Sequence, residues 1–291
     1  LILAIASRAS AQTPVNAFEY GKKEDVKEVE WKASASAGLV ATTGNSRTVT
    51  FSGGALLSRK DTDNKFSLEG GFAFARSSVL VFSDTNMNGT IGPGEINRVD
   101  STTAKNWMLK LRYDRFFEDV NSIFVAAKIG ADEPAGKSLY GGGQIGYSRQ
   151  LYKDDSNELV AEAGYDLTAQ SFVAPNTDTL VIHSARLFVG YNGKLSADTG
   201  FLASVEGLFN LNSENAPQGN VSAFQDTRIN AKAALTTKLA SQISLRVAFL
   251  LKFDNSPAPL PLPSMTYDAG YLPLAETVDT QTEVSLIVNF L

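Results

Sequence analysis

The sequence predicts an all-β fold, a 12-stranded antiparallel up-and-down transmembrane β-barrel, on three observations. The first is alternation with period two over unusually long arms. In 228–239, Ile229, Ala231, Ala233, Leu235 and Leu239 share one parity, and Arg228, Asn230, Lys232, Thr236 and Lys238 share the other. In 243–254, Ile243, Leu245, Val247, Phe249, Leu251 and Phe253 alternate with Ser244, Arg246, Ala248, Leu250, Lys252 and Asp254. Period two is the mark of a strand with one apolar and one polar face. Strands of soluble proteins run to about five or six residues, whereas one that crosses a bilayer needs roughly 9–11. The second observation is that the connections alternate in length. Turns after the second, fourth, sixth, eighth and tenth segments are short and polar, and most of the others are longer. Short turns on one rim and longer loops on the other are the layout of an outer-membrane barrel with its short turns in the periplasm. Third, the polar parity is too charged to be the core between two soluble sheets.

Composition narrows the remaining classes. The chain has 291 residues, no cysteine, one histidine and a formal net charge of −5. Disulfide frameworks and thiolate metal sites are excluded, and mild acidity argues against nucleic acid as a partner. No apolar run reaches the ~18 residues that a spanning helix requires. A strand barrel escapes that test, because half of its strand residues face inward.

Residues 1–11 (LILAIASRASA) read as the remnant of an export signal, closing on the Ala9-Ser10-Ala11 cleavage pattern. Residues 12–30 are polar and lysine/glutamate-rich, which suits a periplasmic N-terminal segment. Residues 31–291 are assigned to the barrel. The first three strands are expected at 31–41, 47–60 and 65–76, turning at Thr43-Gly44-Asn45-Ser46 and at 61–64. An extracellular loop at 77–104 precedes the fourth strand, 105–116, with Trp107, Leu109, Leu111 and Tyr113 on one face. The next five are expected at 122–131, 138–152, 157–169, 183–195 and 200–211. A polar loop at 212–225 leads to the two arms described above. A Pro-rich loop then precedes a last strand at 279–291, with Val284, Leu286, Val288 and Phe290 aligned.

The sharpest motif lies in the 77–104 loop. Residues 84–95, DTNMNGTIGPGE, fit the twelve-position calcium loop D-x-[DN]-x-[DN]-G-x₅-E. Asp84, Asn86 and Asn88 would offer side-chain oxygens, Thr90 its carbonyl and Glu95 a bidentate carboxylate, with Gly89 making the sharp turn. Only two of these ligands are charged, which sets affinity in the roughly 10⁻⁴–10⁻³ M range of extracellular modules. Pro93 and Gly94 oppose an exiting helix, so the ion would be structural. The alternative is an Asn/Gly-rich turn without an ion.

The inward parity collects Lys32, Glu69, Lys110, Arg112, Asp114, Lys128, Glu158, Glu162, Asp166, Arg186, Glu206, Lys232, Arg246 and Lys252. These charges form either a selectivity ring or a network of ion pairs that fills the lumen. Eight strands make a filled barrel and 16–18 a channel, so twelve argue for a narrow or plugged lumen. His183 is the sole histidine, and any Ser–His hydrolase acting on the outer leaflet would have to use it. The favoured reading is non-enzymatic: an envelope-structural or anchoring role, or a porin-like small-solute channel, in the outer membrane of a Gram-negative cell. An outer-leaflet lipid hydrolase is the alternative. Expected partners are outer-membrane lipid and lipopolysaccharide, with proteins reached through the extracellular loops or the periplasmic segment.

The opening 31–75, with Gly38-Leu39 and Thr42-Thr43-Gly44-Asn45 at its tight first hairpin, resembles the YdiY-like salt-induced outer-membrane proteins, a family of unknown function. The segments YDRFFEDVNSIFVAAKIGADE, GGGQIGYSRQLY and ELVAEAGYDL within 112–170 are similar too. The resemblance implies a twelve-stranded outer-membrane barrel and brings no catalytic residues.

Overall fold

Each stretch of sustained alternation forms a strand, and the strands pair in chain order. A computed structural model describes residues 29–42, 47–82, 87, 96–118, 120–174, 176–260 and 272–290. The strands are β1 (Glu30–Thr42), β2 (Arg47–Lys60), β3 (Asn64–Phe82), β4 (Ile96–Phe117), β5 (Asn121–Asp132), β6 (Lys137–Lys153) and β7 (Asn157–Phe172). They continue as β8 (Leu180–Lys194), β9 (Thr199–Asn210), β10 (Glu214–Ala216), β11 (Gly219–Val221), β12 (Thr227–Lys238), β13 (Ile243–Asp254) and β14 (Val278–Asn289). All but β10 and β11 close into an antiparallel barrel in the order β1-β14-β13-β12-β9-β8-β7-β6-β5-β4-β3-β2. The twelve strands expected from the sequence are the twelve of the barrel. Closure runs through a short seam, with four register pairs from Ser34↔Asn289 to Ala37↔Leu286.

The outer face decides the solvent. On β4, Trp107, Leu109, Leu111 and Tyr113 are 42%, 41%, 39% and 41% exposed, while Asn106 and Asp114 on the other parity are buried. The same inversion runs round the barrel, from Phe72 on β3 to Val247 and Phe249 on β13. A belt of exposed apolar and aromatic side chains on a closed, edge-free barrel is stable in hydrocarbon, where every backbone group must be satisfied internally. The protein is therefore a β-barrel of the bacterial outer membrane. Arg in place of Val247, midway along β13, is expected to destabilise it by roughly 2–4 kcal/mol in lipid refolding titrations. Ser244→Arg, on the lumen parity, should cost less. Equal losses would refute the inside–outside assignment.

The short turns are closed by their own side chains. Asp61 Oδ1 accepts the Asn64 N–H at 2.9 Å, and Asp154 Oδ1 accepts those of Ser156 (2.7 Å) and Asn157 (2.6 Å). Ser196 Oγ does the same for Thr199 at 3.1 Å. Such Asx and Ser turns reverse the chain in the fewest residues. The Tyr152 hydroxyl and those turn donors hold the Asp154 carboxyl below the usual carboxylate range.

Three features differ from the sequence expectation. β3 and β4 run on into the expected 77–104 loop, pairing from Ser77↔Ser101 to Phe82↔Ile96 beyond a register shift at Ala75/Arg76. Residues 96–102 are exposed on both parities, so no apolar stripe marks them as strand. The polar loop at 212–225 contains the β10–β11 hairpin, whose arms are too short to show a period. Finally, Ala248 and Leu250, on the polar parity of β13, face the lumen but pack with Leu202 and Ala234 as a buried apolar patch. The loop residues Asp84, Asn86, Asn88, Thr90 and Glu95, and the export-signal segment 1–11, lie outside the described residues.

Candidate functional site

The lumen-facing charges of β4 to β9 meet in two sets of ion pairs. Arg112 Nη2 reaches Asp114 Oδ1 at 2.6 Å and Glu162 Oε1 at 2.8 Å. Glu162 Oε2 accepts Arg186 Nη1 at 2.8 Å, and Arg186 Nε reaches Glu206 Oε1 at 2.6 Å. Asn230 on β12 donates to Glu206 Oε2 at 3.1 Å. A second set centres on Asp166, which takes Lys128 at 3.0 Å, Gln144 at 2.8 Å and Thr168 at 2.7 Å. Arg186 is 1% exposed, so its charge is compensated by its two carboxylates rather than by water.

Phe124 organises this cluster. The Arg112 guanidinium carbon lies 4.0 Å from its ring centroid, and that of Arg186 lies 5.4 Å away. Stacking on a ring face suits a planar, weakly hydrated guanidinium. The ring can lie against the wall because β6 carries Gly146 there: a Cβ at that position would come within 2.7 Å of the Phe124 ring.

Charges on opposite walls also feel one another. Lys110 of β4 interacts with Glu206 of β9, and Lys232 of β12 with Glu69 of β3. Below them, toward the short-turn rim, a cavity of about 400 Å³ is lined by Lys232, Thr236 and Arg246 and by residues 153–158 of the β6–β7 turn. Arg246 Nε donates to Thr236 Oγ1 there at 3.2 Å.

The opposite mouth is covered by inward-folded connections. Ala216 of β10 and Ala258 of the β13–β14 connection pack with Phe172, Leu180 and Ile182. Gln218 donates to Ser256, and Asn255 Nδ2 donates to the Gln225 carbonyl at 2.6 Å. Asn210 ties the base of the hairpin, accepting the Asp226 N–H at 2.9 Å and donating to the Ser222 carbonyl at 3.0 Å. Glu214 and Asp226 are buried beneath this lid. Burial pushes the Glu214 carboxyl up to about 7, with the charges of Asp226 and Asp254 adding to it. Burial likewise pushes Asp226 up to about 6, against the pull of Arg228.

The structure separates His183 from Ser184. The Tyr165 hydroxyl contacts His183 Nδ1 on the outer face, whereas Ser184 is fully buried inside and accepts from Arg228 Nη2 at 3.0 Å. Sequence reasoning identified Arg112, Asp114, Lys128, Glu162, Asp166, Arg186 and Glu206 as lumen residues, and the structure brings these together. It missed Phe124, Glu214 and Asp226. Only the glycines of GGGQIG hinted at a bulky inward neighbour.

A family model described as a protein of unknown function, DUF481, matches residues 35–290. No curated protein matches the sequence. Among solved structures, a NanC porin is similar over 89% of this chain and 100% of its own, with 8% identity and a TM-score of 0.45. The translocator domain of the autotransporter NalP from Neisseria meningitidis is similar over 90% of this chain and 88% of its own, at 10% identity and a TM-score of 0.38. In vitro-folded OmpT, an outer membrane protein of Vibrio cholerae, is similar over 90% and 97%, at 9% identity and a TM-score of 0.37.

Proposed function

The chain belongs to the DUF481 family of proteins of unknown function, and from that premise we propose a non-enzymatic barrel that braces the outer membrane around a narrow, charge-filled lumen. Its opening hairpin further suggests kinship with the YdiY-like salt-induced proteins. The observation that carries the reading is the Arg112–Glu162–Arg186–Glu206 chain, supported by charges on facing walls close enough to interact. A solute entering there would have to displace paired charges, and uncompensated charge in a confined, weakly solvated space is unfavourable. Lipid and lipopolysaccharide are the partners of the outer face. Planar-bilayer recordings of the purified barrel are expected to show small, flickering currents. A steady wide-pore conductance, unaffected by pH or divalent cations, would overturn the proposal.

Calcium at 84–95 is part of the same reading, held by Asp84, Asn86, Asn88, the Thr90 carbonyl and Glu95. The ion would offset repulsion between Asp84 and Glu95 and the entropy of ordering the connection. Millimolar calcium is expected to slow surface proteolysis within 83–95 while leaving the barrel unchanged. Glu95→Gln should remove most of that protection, whereas Thr90→Ala should keep it. Equal protection in Glu95→Gln would mean that no ion is bound there.

A further inference from the structure

We propose that the outer mouth holds a second divalent cation, calcium or magnesium, between Glu214 and Asp226, and that this ion fastens the β10–β11 hairpin to the barrel rim. Glu214 is 3% exposed, and among the described residues neither of its carboxylate oxygens accepts a well-formed hydrogen bond, the neighbouring Asn210 amide being turned to the Asn212 and Ser222 carbonyls. Asp226 is 2% exposed, and its Oδ1 also lacks one; Oδ2 has the Arg228 Nε at 3.7 Å. Three carboxylate oxygens withdrawn from water without donors are costly unless a cation or a proton compensates them.

The surroundings do not supply that compensation. Lys137 is engaged by Asp254 at 3.1 Å, and Lys252 by Asp132 at 3.8 Å. Asp279 faces the same group. Among the described residues five carboxylates, Asp132, Glu214, Asp226, Asp254 and Asp279, thus share three cations, Lys137, Arg228 and Lys252. The deficit is two charges, which one divalent ion removes.

Hard divalent cations take oxygen ligands, and magnesium in particular commonly binds through one or two carboxylates with water completing its shell. Among the described residues no group of three or more Asp, Glu, His or Cys side chains forms a cage, so the remaining ligands are water or carbonyl oxygens and the site is weak. It joins two elements that are separate in the sheet: Glu214 sits on the hairpin, and Asp226 immediately precedes β12.

The test uses the full chain carrying Glu95→Gln in detergent, which disables the 84–95 motif, stripped with EDTA and titrated with calcium or magnesium chloride. Calorimetry at about pH 7.5 should show one millimolar-range site. Adding Glu214→Gln and Asp226→Asn should weaken it at least tenfold. Proteolysis within 211–226 should be slowed by either cation in the Glu95→Gln protein. The triple variant should resist without any cation, its buried amides carrying no charge to neutralise. Heat-modifiable gel migration confirms that each variant is folded. Binding unchanged by the added substitutions would overturn the proposal, as would no binding at millimolar cation or cleavage of 211–226 that ignores the cation.

Discussion

Deletion of residues 284–291 is expected to abolish barrel formation outright. All four β14 partners of β1 at the seam, Leu286 to Asn289, lie in that stretch, and so do the β14 partners of Ile243 to Val247 on β13. The truncated chain would present two unpaired edges to hydrocarbon, with every exposed N–H and C=O costing several kcal/mol. Gel migration should lose its heat modifiability, and protease should degrade the chain in the presence of lipid vesicles. A truncated protein that inserts and resists protease would contradict closure through β14.

Glu162→Ala is expected to produce the largest loss of any single lumen substitution, roughly 3–5 kcal/mol in urea titrations of the lipid-folded protein. Glu162 bridges Arg112 and Arg186, and its removal leaves Arg186 with Glu206 alone. The penalty comes from stranding buried cationic charge more than from losing attraction. Replacing Glu162 and Arg186 together by leucine should therefore cost less than the two single changes added. A loss below about 1 kcal/mol for Glu162→Ala would place these groups in bulk-like water, where ion pairs contribute little.

The barrel was legible in the sequence because lipid inverts the usual rule of burial. One parity of β4, β12 and β13 had to be apolar along its length, and alternation sustained over such arms marks a wall between lipid and a polar interior. The inward charges were legible for the same reason. Their pairing was not: Arg112 and Glu162 are 50 positions apart, and only barrel closure and register bring them together. The extended β3–β4 hairpin was missed because residues 96–102 of its second arm are exposed on both parities, which leaves alternation no cause there. Glu214 was missed because it reads as one polar residue in a polar loop. Its burial arises from Ala216 and Ala258 packing on β8 and its surroundings, contacts with no local signature.

The β3–β4 hairpin also has an electrostatic consequence. Beyond Asn106, the last β4 residue paired to β5, its second arm continues to Ile96, roughly 30 Å at the rise of an extended strand. In the barrel order, the β3–β4 pair stands diametrically opposite the β9–β12 pair that flanks the mouth carboxylates. At physiological ionic strength the field of an exposed ion decays over a Debye length of about 8 Å. Two calcium ions, one on the connection 83–95 and one under the lid, would therefore titrate independently. Ionic strength offers a further test: added salt should weaken the site under the lid only slightly, because its carboxylates are buried.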